Sequence, residues 1–436
     1  MTPHSSGLCL IPHLPYTSFT PAGNNGDVEN VTSAHTSSPN EGADAVASVS
    51  PAVDNGSPSP LLSHVPGASN EADGRTLNVA WHYGKPLVEQ SRITSSKPGL
   101  VDRWDRVAIL ISGEEAATWL NTLISQKVNA IQPGQATWGL NLDIQGRILQ
   151  NFGISCLDDS SLLLDVPGEQ ADDLEDHLTK MIFWSQVTVQ RLELVQLTIL
   201  GEDFSAVGLS GSDQARGDAT ESYRTRMLGD LPVTDYWVPR DQLLQRWDEL
   251  TQRAQPAGLM AYTALRVQAR EPEVGFDTDE KTIPHEVPAF IGTDISGATQ
   301  REDINSGPTA VAVHLNKGCY RGQETVSRVH NLGRSPRVLV LLHLDGSKGS
   351  LPDVGASVQA GGKVVGRVGT SVHDADFGPI ALGLIKRSVL DKLAKDPSSV
   401  PPMTVDGVDT AVDPEDIRID DSARPGRQAI NALRKN

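Results

Sequence analysis

An α+β fold closed by a C-terminal β-barrel is what the sequence predicts, and three observations predict it. Strand-like and helix-like runs alternate over residues 160–255. From Arg337 onward, period-two apolar runs separated by turn residues replace that alternation. The 436 residues suffice for two or three domains with large cores, and no apolar run approaches the roughly 18–20 residues that cross a bilayer as a helix.

The elements follow in order. Residues 1–74 hold no Lys or Arg and are rich in Ser, Pro, Ala, Gly and Asn, which predicts a disordered acidic leader. It has neither the basic start and unbroken apolar core of a secretory signal nor the arginines of an organelle transit peptide. Order is expected from about Leu77, with a buried strand over 107–111. Ser112 and Glu115 then form a capping box for a helix whose apolar face is Ala116, Trp119, Leu120 and Leu123. Strands over 137–142 and 147–154 flank the hairpin-like turn Asp143-Ile144-Gln145-Gly146. A strand over 161–166, a helix with Ala171, Leu174, Leu178 and Met181 on its apolar face, a strand over 194–200 and a helix with Leu243, Trp247 and Leu250 suit a ferredoxin-like module over about 160–257. Residues 202–224 read as loop, and 292–308, rich in Gly, Ser, Thr and Asp, as a flexible insertion. Val338, Val340, Leu342 and Leu344 share one strand face, Gly361-Gly362 marks a hairpin, and strands over 364–372 and 380–385 complete a barrel spanning 336–412. The tail, 413–436, is charged and expected to fray.

Composition narrows the function classes. A formal charge of −18 argues against non-specific nucleic-acid binding, which relies on broad basic surface. Within this acidic chain, residues 317–337 form a locally cationic segment through Lys317, Arg321, Arg328, Arg334 and Arg337, suited to an anionic small molecule. Cys9, Cys156 and Cys319 are too few and too far apart for a disulfide scaffold, a zinc site or a typical iron–sulfur cluster on the chain's own ligands, and they fit a reducing cytoplasm. Neither a membrane nor a metal is expected as a partner.

The densest group of reactive side chains is Lys317-Gly318-Cys319-Tyr320-Arg321-Gly322-Gln323-Glu324, ahead of a strand-like run. Its glycines permit a positive φ or close approach to a ligand, and Lys317 and Arg321 could favour the Cys319 thiolate. The plainer alternative is a glycine-rich turn around a structural cysteine. With the following Thr325-Val326-Ser327-Arg328-Val329-His330-Asn331-Leu332-Gly333-Arg334, this octapeptide resembles the signature of the YgfZ-like folate-binding proteins, paralogues of the aminomethyltransferase (T-protein) of glycine cleavage. A second stretch, Leu265-Arg266-Val267-Gln268-Ala269-Arg270 through Gly275 and Asp277, and the turn Asn141-Leu142-Asp143 to Gly146-Arg147, resemble the same family.

The resemblance implies a three-lobed T-protein-like fold, with a discontinuous folate-binding region over 77–335 ahead of the barrel. It implies a reduced folate, tetrahydrofolate, as cofactor, and iron–sulfur client or assembly proteins as partners, tRNA-modifying enzymes included. The family's pterin-contacting Glu is replaced here by Gln268, which keeps hydrogen bonds but loses the carboxylate charge; Glu271 or Glu273 could substitute. Trp81, Tyr83, Trp138 and Tyr320 are candidate walls for the pterin, and Arg147, Arg266 and Arg328 candidate grips for its glutamate tail. Asp143 is the candidate for the family's catalytic Asp, and Gln323 and Glu324 enter with the signature. Cys319, with Lys317 and Arg321, carries the chemistry in this reading, that of a maintenance factor without turnover. Two alternatives stay open: a tetrahydrofolate-dependent aminomethyltransferase, and a hydrolase or thiol-redox enzyme using Cys319 as nucleophile.

Overall fold

The computed structural model describes residues 56–72, 75–95, 97–202, 222–291, 311–331 and 333–417. Two five-stranded sheets and a closed six-stranded barrel carry the fold. The first sheet runs Ala136–Leu142, Ile148–Asp158, Ser161–Pro167, Arg106–Ser112, Thr188–Leu192, antiparallel throughout. Alternation along Arg106–Ser112 explains its placement: Val107, Ile109 and Ile111 enter the core beneath the helices Ala116–Leu123 and Gly168–Lys180, while Ala108 and Leu110 face a second cluster with Leu194 and Trp237.

The second sheet runs Ser222–Leu228, Leu231–Pro239, Leu194–Leu200, Gly99–Arg103, Gln255–Pro256, the last pair parallel. The span expected to form one ferredoxin-like module is therefore divided. Its strand Ser161–Pro167 belongs to the first sheet and its strand Leu194–Leu200 to the second. The expected loop over 202–224 ends at Ser222, where a strand turns at Gly229-Asp230 into Leu231–Pro239; residues 203–221 lie outside the described residues, as do 292–308. The expected capping box does not form, because Glu115 Oε2 accepts instead from the Gln186 backbone N–H at 2.6 Å.

The barrel runs Arg337–Leu344, Gly378–Lys386, Lys363–Asp374, Ser357–Ala360, Met403–Val405, Val408–Val412 and closes when the last strand pairs with the first. Gly361 and Gly362, at φ +56° and +76°, make the two-residue hairpin turn that the sequence announced.

Two boundaries shift. Residues 56–72 are not a free leader: Leu61 is fully buried with Leu100, Leu197 and Trp247, and Ser59 Oγ lies 2.5 Å from Asp102 Oδ2. At the other end, Asp416 accepts from the Leu341 N–H at 2.6 Å and from Arg270 Nε at 3.2 Å, so the chain stays attached to the barrel through 417; 418–436 are outside the described residues.

Burial pushes the Asp102 carboxyl up to about 7, against hydrogen bonds from Ser59 and the Trp104 N–H. The folded chain thus holds a proton that the unfolded chain releases from about pH 4 upward, and stability falls as pH rises from about 4 to 7. Asp102→Asn should remove this contribution, at about 1.4 kcal/mol per pH unit of the window. Between pH 4.5 and 6.5 the parent's denaturant melts should lose stability and the variant's should lose less; a pH dependence equal to that of the parent chain would refute the assignment.

Candidate functional site: an arginine-lined cavity and a glycine-locked cysteine loop

The strand register builds the centre of the molecule. In the second sheet Arg224 lies directly opposite Asp235, and Asp235 opposite Thr198. Asp235 accepts from Arg224 Nη2 at 2.9 Å, from Arg226 Nε at 2.8 Å and from Thr198 Oγ1 at 2.8 Å. Burial alone would raise the Asp235 carboxyl, but Arg226 and Arg224 hold it far below the usual range. In the first sheet Asp165 stands opposite Gly153 and is gripped by Arg224 Nη1 and, at 2.5 Å, by Arg106 Nη2. A Cβ on Gly153 would lie 1.8 Å from Arg224 Nη1, so the glycine leaves the space through which one sheet's arginine reaches the other sheet's carboxylate.

This network lines a cavity of ≈ 80 Å³ whose other walls include Trp138, Tyr262, Val274 and Phe290. Arg224 stacks over Trp138 with its guanidinium 4.7 Å from the ring centre. Arg266 and Glu273 line both this cavity and a groove of ≈ 830 Å³ bordered by Trp81, Thr263 and the barrel's Leu351 and Thr370. Two of the lining residues each carry a polar atom buried without a partner, Gln196 Oε1 and Arg106 Nε. An unmet acceptor and an unmet donor beside aromatic walls suit a planar heteroaromatic ring with a hydrogen-bonding edge.

Of the residues expected here, Arg266, Glu271 and Trp138 line the cavity. Arg266 is tied to Asp277 at 2.7 Å, Glu273 at 3.1 Å and Thr370 Oγ1 at 2.6 Å, and Glu271 to Arg226 at 3.2 Å. Gln268 is not in the lining; its Nε2 donates to Asp374 Oδ2 of the barrel at 2.5 Å. Gln268→Glu should therefore set two carboxylates against each other and cost about 1–3 kcal/mol of stability, read as a lower thermal midpoint. A midpoint at or above the parent's would show that the amide does not make this contact. Tyr83 is also elsewhere: its ring packs on Trp247 with centroids 5.8 Å apart, and its hydroxyl is buried without a partner. Arg103, Arg106, Arg224, Arg226 and Tyr262 were not foreseen. The signal was present in the alternation Arg224-Thr225-Arg226 before Gly229-Asp230, a hairpin pattern with cations on one face.

The second part of the site is the signature segment. The turn expected to resemble the family's, 143–147, is closed by Asp143 Oδ1 accepting from the N–H groups of Gln145 and Arg147, each at 2.8 Å. It packs on the signature backbone to backbone. A Cβ on Gly322 would lie 2.7 Å from Asp143 O and 2.8 Å from Gly146 Cα, and one on Gly146 2.8 Å from Thr325 Cβ; both glycines hold positive φ. The turn thus brings Asp143 and Arg147 to the signature. After Gly322 the chain forms the helix Gln323–Asn331, not the expected strand, carrying Glu324 and Arg328 exposed to solvent.

Lys317 does not serve the thiol. Its Nζ donates to the carbonyls of Asn121, Ile124 and Gln126 at 2.6, 2.6 and 2.7 Å, capping the end of the helix Ala116–Leu123. Burial lowers its pKa to about 7. Tyr320 is buried in the core with its ring 4.9 Å from that ammonium, and Gln323 Nε2 donates to Lys317 O at 3.4 Å. Cys319 and Arg321 remain exposed, and no group of three or more His, Cys, Asp or Glu placed to hold a metal occurs among the described residues.

A family model described as the GCVT N-terminal domain matches residues 70–215. The tRNA-modifying protein YgfZ of Yersinia enterocolitica is 23% identical over 289 residues, 63% of this chain and 79% of that protein. The aminomethyltransferase of Streptomyces coelicolor is 24% identical over 349 residues, 73% of this chain and 87% of its own length. Among solved structures, the glycine cleavage system aminomethyltransferase T from Bartonella henselae superposes with a TM-score of 0.64 at 18% identity, covering 83% of this chain and 96% of its own.

Proposed function

We propose that this chain, which has the T-protein fold, is a YgfZ-like member of that family, that it binds a reduced folate in the arginine-lined cavity and that it supports iron–sulfur enzymes through Cys319. The observation that carries the folate reading is the pair of orphaned atoms, Gln196 Oε1 and Arg106 Nε, on residues that line the same cavity as Trp138, Tyr262 and Phe290. A pterin edge would meet both atoms, its ring would lie against the aromatic walls, and a folate's anionic tail would suit the guanidinium-rich lining. When bound, tetrahydrofolate supplies one-carbon chemistry. The chain's own contribution is to hold the ring, exclude water behind two packed sheets and keep the exposed thiol on a segment locked to the 143–147 turn. A cytoplasmic location, clients that include tRNA-modifying enzymes, and action without turnover belong to the same proposal, supported by the signature and by the YgfZ relatives.

Calorimetric titration of tetrahydrofolate into the full chain tests it. Saturable binding that weakens about tenfold or more in Gln196→Leu is expected; binding unaffected by that change would place folate elsewhere, and no binding would end the folate reading. Cys319→Ser should fold and bind folate as the parent does, yet fail to restore iron–sulfur enzyme activity in cells lacking the protein. Full restoration would remove the thiol from the proposal. The aminomethyltransferase alternative predicts turnover that depends on a lipoyl arm, absent from a maintenance factor.

A further inference from the structure

The groove of ≈ 830 Å³ draws its walls from two parts of the molecule, Leu77, Trp81 and Phe276 from the body and Leu351, Pro352 and Val354 from the barrel. Val354 is 42% exposed and the other five are half-buried, so the groove presents apolar surface that nothing among the described residues covers. Its charged lining is unbalanced. Arg266 is held by Glu273 and Asp277, and Asp105 by Arg103. Glu169 and Asp353 are exposed, and their carboxylates meet no cation and no hydrogen-bond donor among the described residues. Apolar walls beside two unmatched negative charges suit a segment that mixes aliphatic and basic side chains.

The chain itself contains such a segment. Residues 418–436 carry Arg418, Arg424, Arg427, Arg434 and Lys435 against Asp420 and Asp421, with Ile419, Ile430 and Leu433 among them. The other long stretches outside the described residues, 1–55, 203–221 and 292–310, each hold more acids than bases. The first of these joins the described chain at Gly56, in the groove's own lining, yet it has no Lys or Arg and would bring like charges to Glu169 and Asp353. The basic segment is within reach of the groove. It follows Asp416, which accepts from Arg270 Nε at 3.2 Å, and four residues before Arg270 stands Arg266, which donates to Thr370 Oγ1 in the groove wall at 2.6 Å. Two arginine side chains and one helical turn amount to roughly 20 Å, whereas the segment extended spans up to about 60 Å.

We propose that residues 418–436 lie in this groove as a strap, with aliphatic side chains against Trp81, Phe276 and Leu351 and basic side chains on Glu169 and Asp353, so that the segment ties the barrel to the body. The inference is independent of the folate and Cys319 readings. Burial of apolar surface supplies the affinity, and the two carboxylates select the occupant. Weak contacts suffice, because a tether of this length holds the segment at a roughly millimolar effective concentration.

The test uses the full chain and a fluorescein-labelled peptide of residues 418–436, read by anisotropy at low salt. Arg427→Glu/Arg434→Glu/Lys435→Glu in the full chain should release the strap. The peptide should then bind that variant about tenfold or more tighter than the parent, whose own segment competes for the groove. Adding Glu169→Gln/Asp353→Asn to the released variant should weaken the peptide about fivefold, and a peptide carrying the same three reversals should not bind. Equal affinity for the parent and the released variant, binding to neither, affinity untouched by loss of the two carboxylates, or equal binding of the reversed peptide overturns the proposal. Hydrogen exchange in the full chain gives a second reading. Amides of 76–81 and 351–354 should exchange faster in the released variant than in the parent, by the same margin at micromolar concentration and well below it. Unchanged exchange overturns the strap, and a margin that fades on dilution assigns the groove to the segment of a second copy and overturns the same-chain occupant.

Discussion

Asp235→Ala should be the most damaging single change in the molecule. It strips the shared acceptor from two guanidiniums, Arg224 and Arg226, that are buried between the sheets and cannot deprotonate. Removing one partner of a buried pair costs about 3–5 kcal/mol, and here one carboxylate serves two cations. The variant is expected to accumulate as unfolded or aggregated chain, and replacing all three residues together by apolar ones should recover part of the loss. The pH dependence follows from the same geometry. Because Asp235 is held well below its ordinary value when folded, its contribution is complete above about pH 4 and is lost progressively as pH falls further. Acid titration of the far-ultraviolet dichroism should show Asp235→Asn losing this dependence below pH 4. A single Asp235→Ala variant that folds with the parent's midpoint would remove the network as a stabilising element.

Gly322→Ala comes second. At φ +80° an alanine pays the left-handed penalty of about 1–2 kcal/mol, and its Cβ meets the carbonyl of Asp143 and the Cα of Gly146, backbone atoms that cannot rotate away. Overpacking of this kind adds about 1–3 kcal/mol. The signature segment must separate from the 143–147 turn, so Cys319 is displaced and Ile144 loses its support. Loss of cellular function is therefore expected to exceed what the fall in thermal midpoint alone would produce. A variant with full cellular function and an unchanged midpoint would show that the two segments do not need this contact.

The barrel was legible because its strands alternate cleanly and turn at Gly361-Gly362, where only the local rule operates. The signature and the 143–147 turn were legible separately, each by its residue pattern. Their contact was not, since it passes through two glycines that carry no side chain to hint at a partner. The arginine network escaped for a different reason. Charged residues read as surface unless something reveals their burial, and the register that sets Arg224 beside Asp235, and Gly153 beside Asp165, exists only once the strands pair. Lys317 shows the same limit. Its proximity in sequence to Cys319 suggested a role in the thiol's ionisation, whereas its long side chain reaches back to a helix end nearly two hundred positions earlier in the chain.

The strand order of the second sheet has a consequence for how the chain is made. Gly99–Arg103 sits between Leu194–Leu200 and Gln255–Pro256, and Leu194–Leu200 in turn needs Leu231–Pro239. During synthesis the early strand must wait, unpaired, until Leu194–Leu200 has been made, and its other edge until Gln255–Pro256, long-range closures of the kind that slow folding. The matched segment 70–215 holds the whole first sheet but only two strands of the second, and a fragment cut at its end should expose the bare edge of Leu194–Leu200 and aggregate.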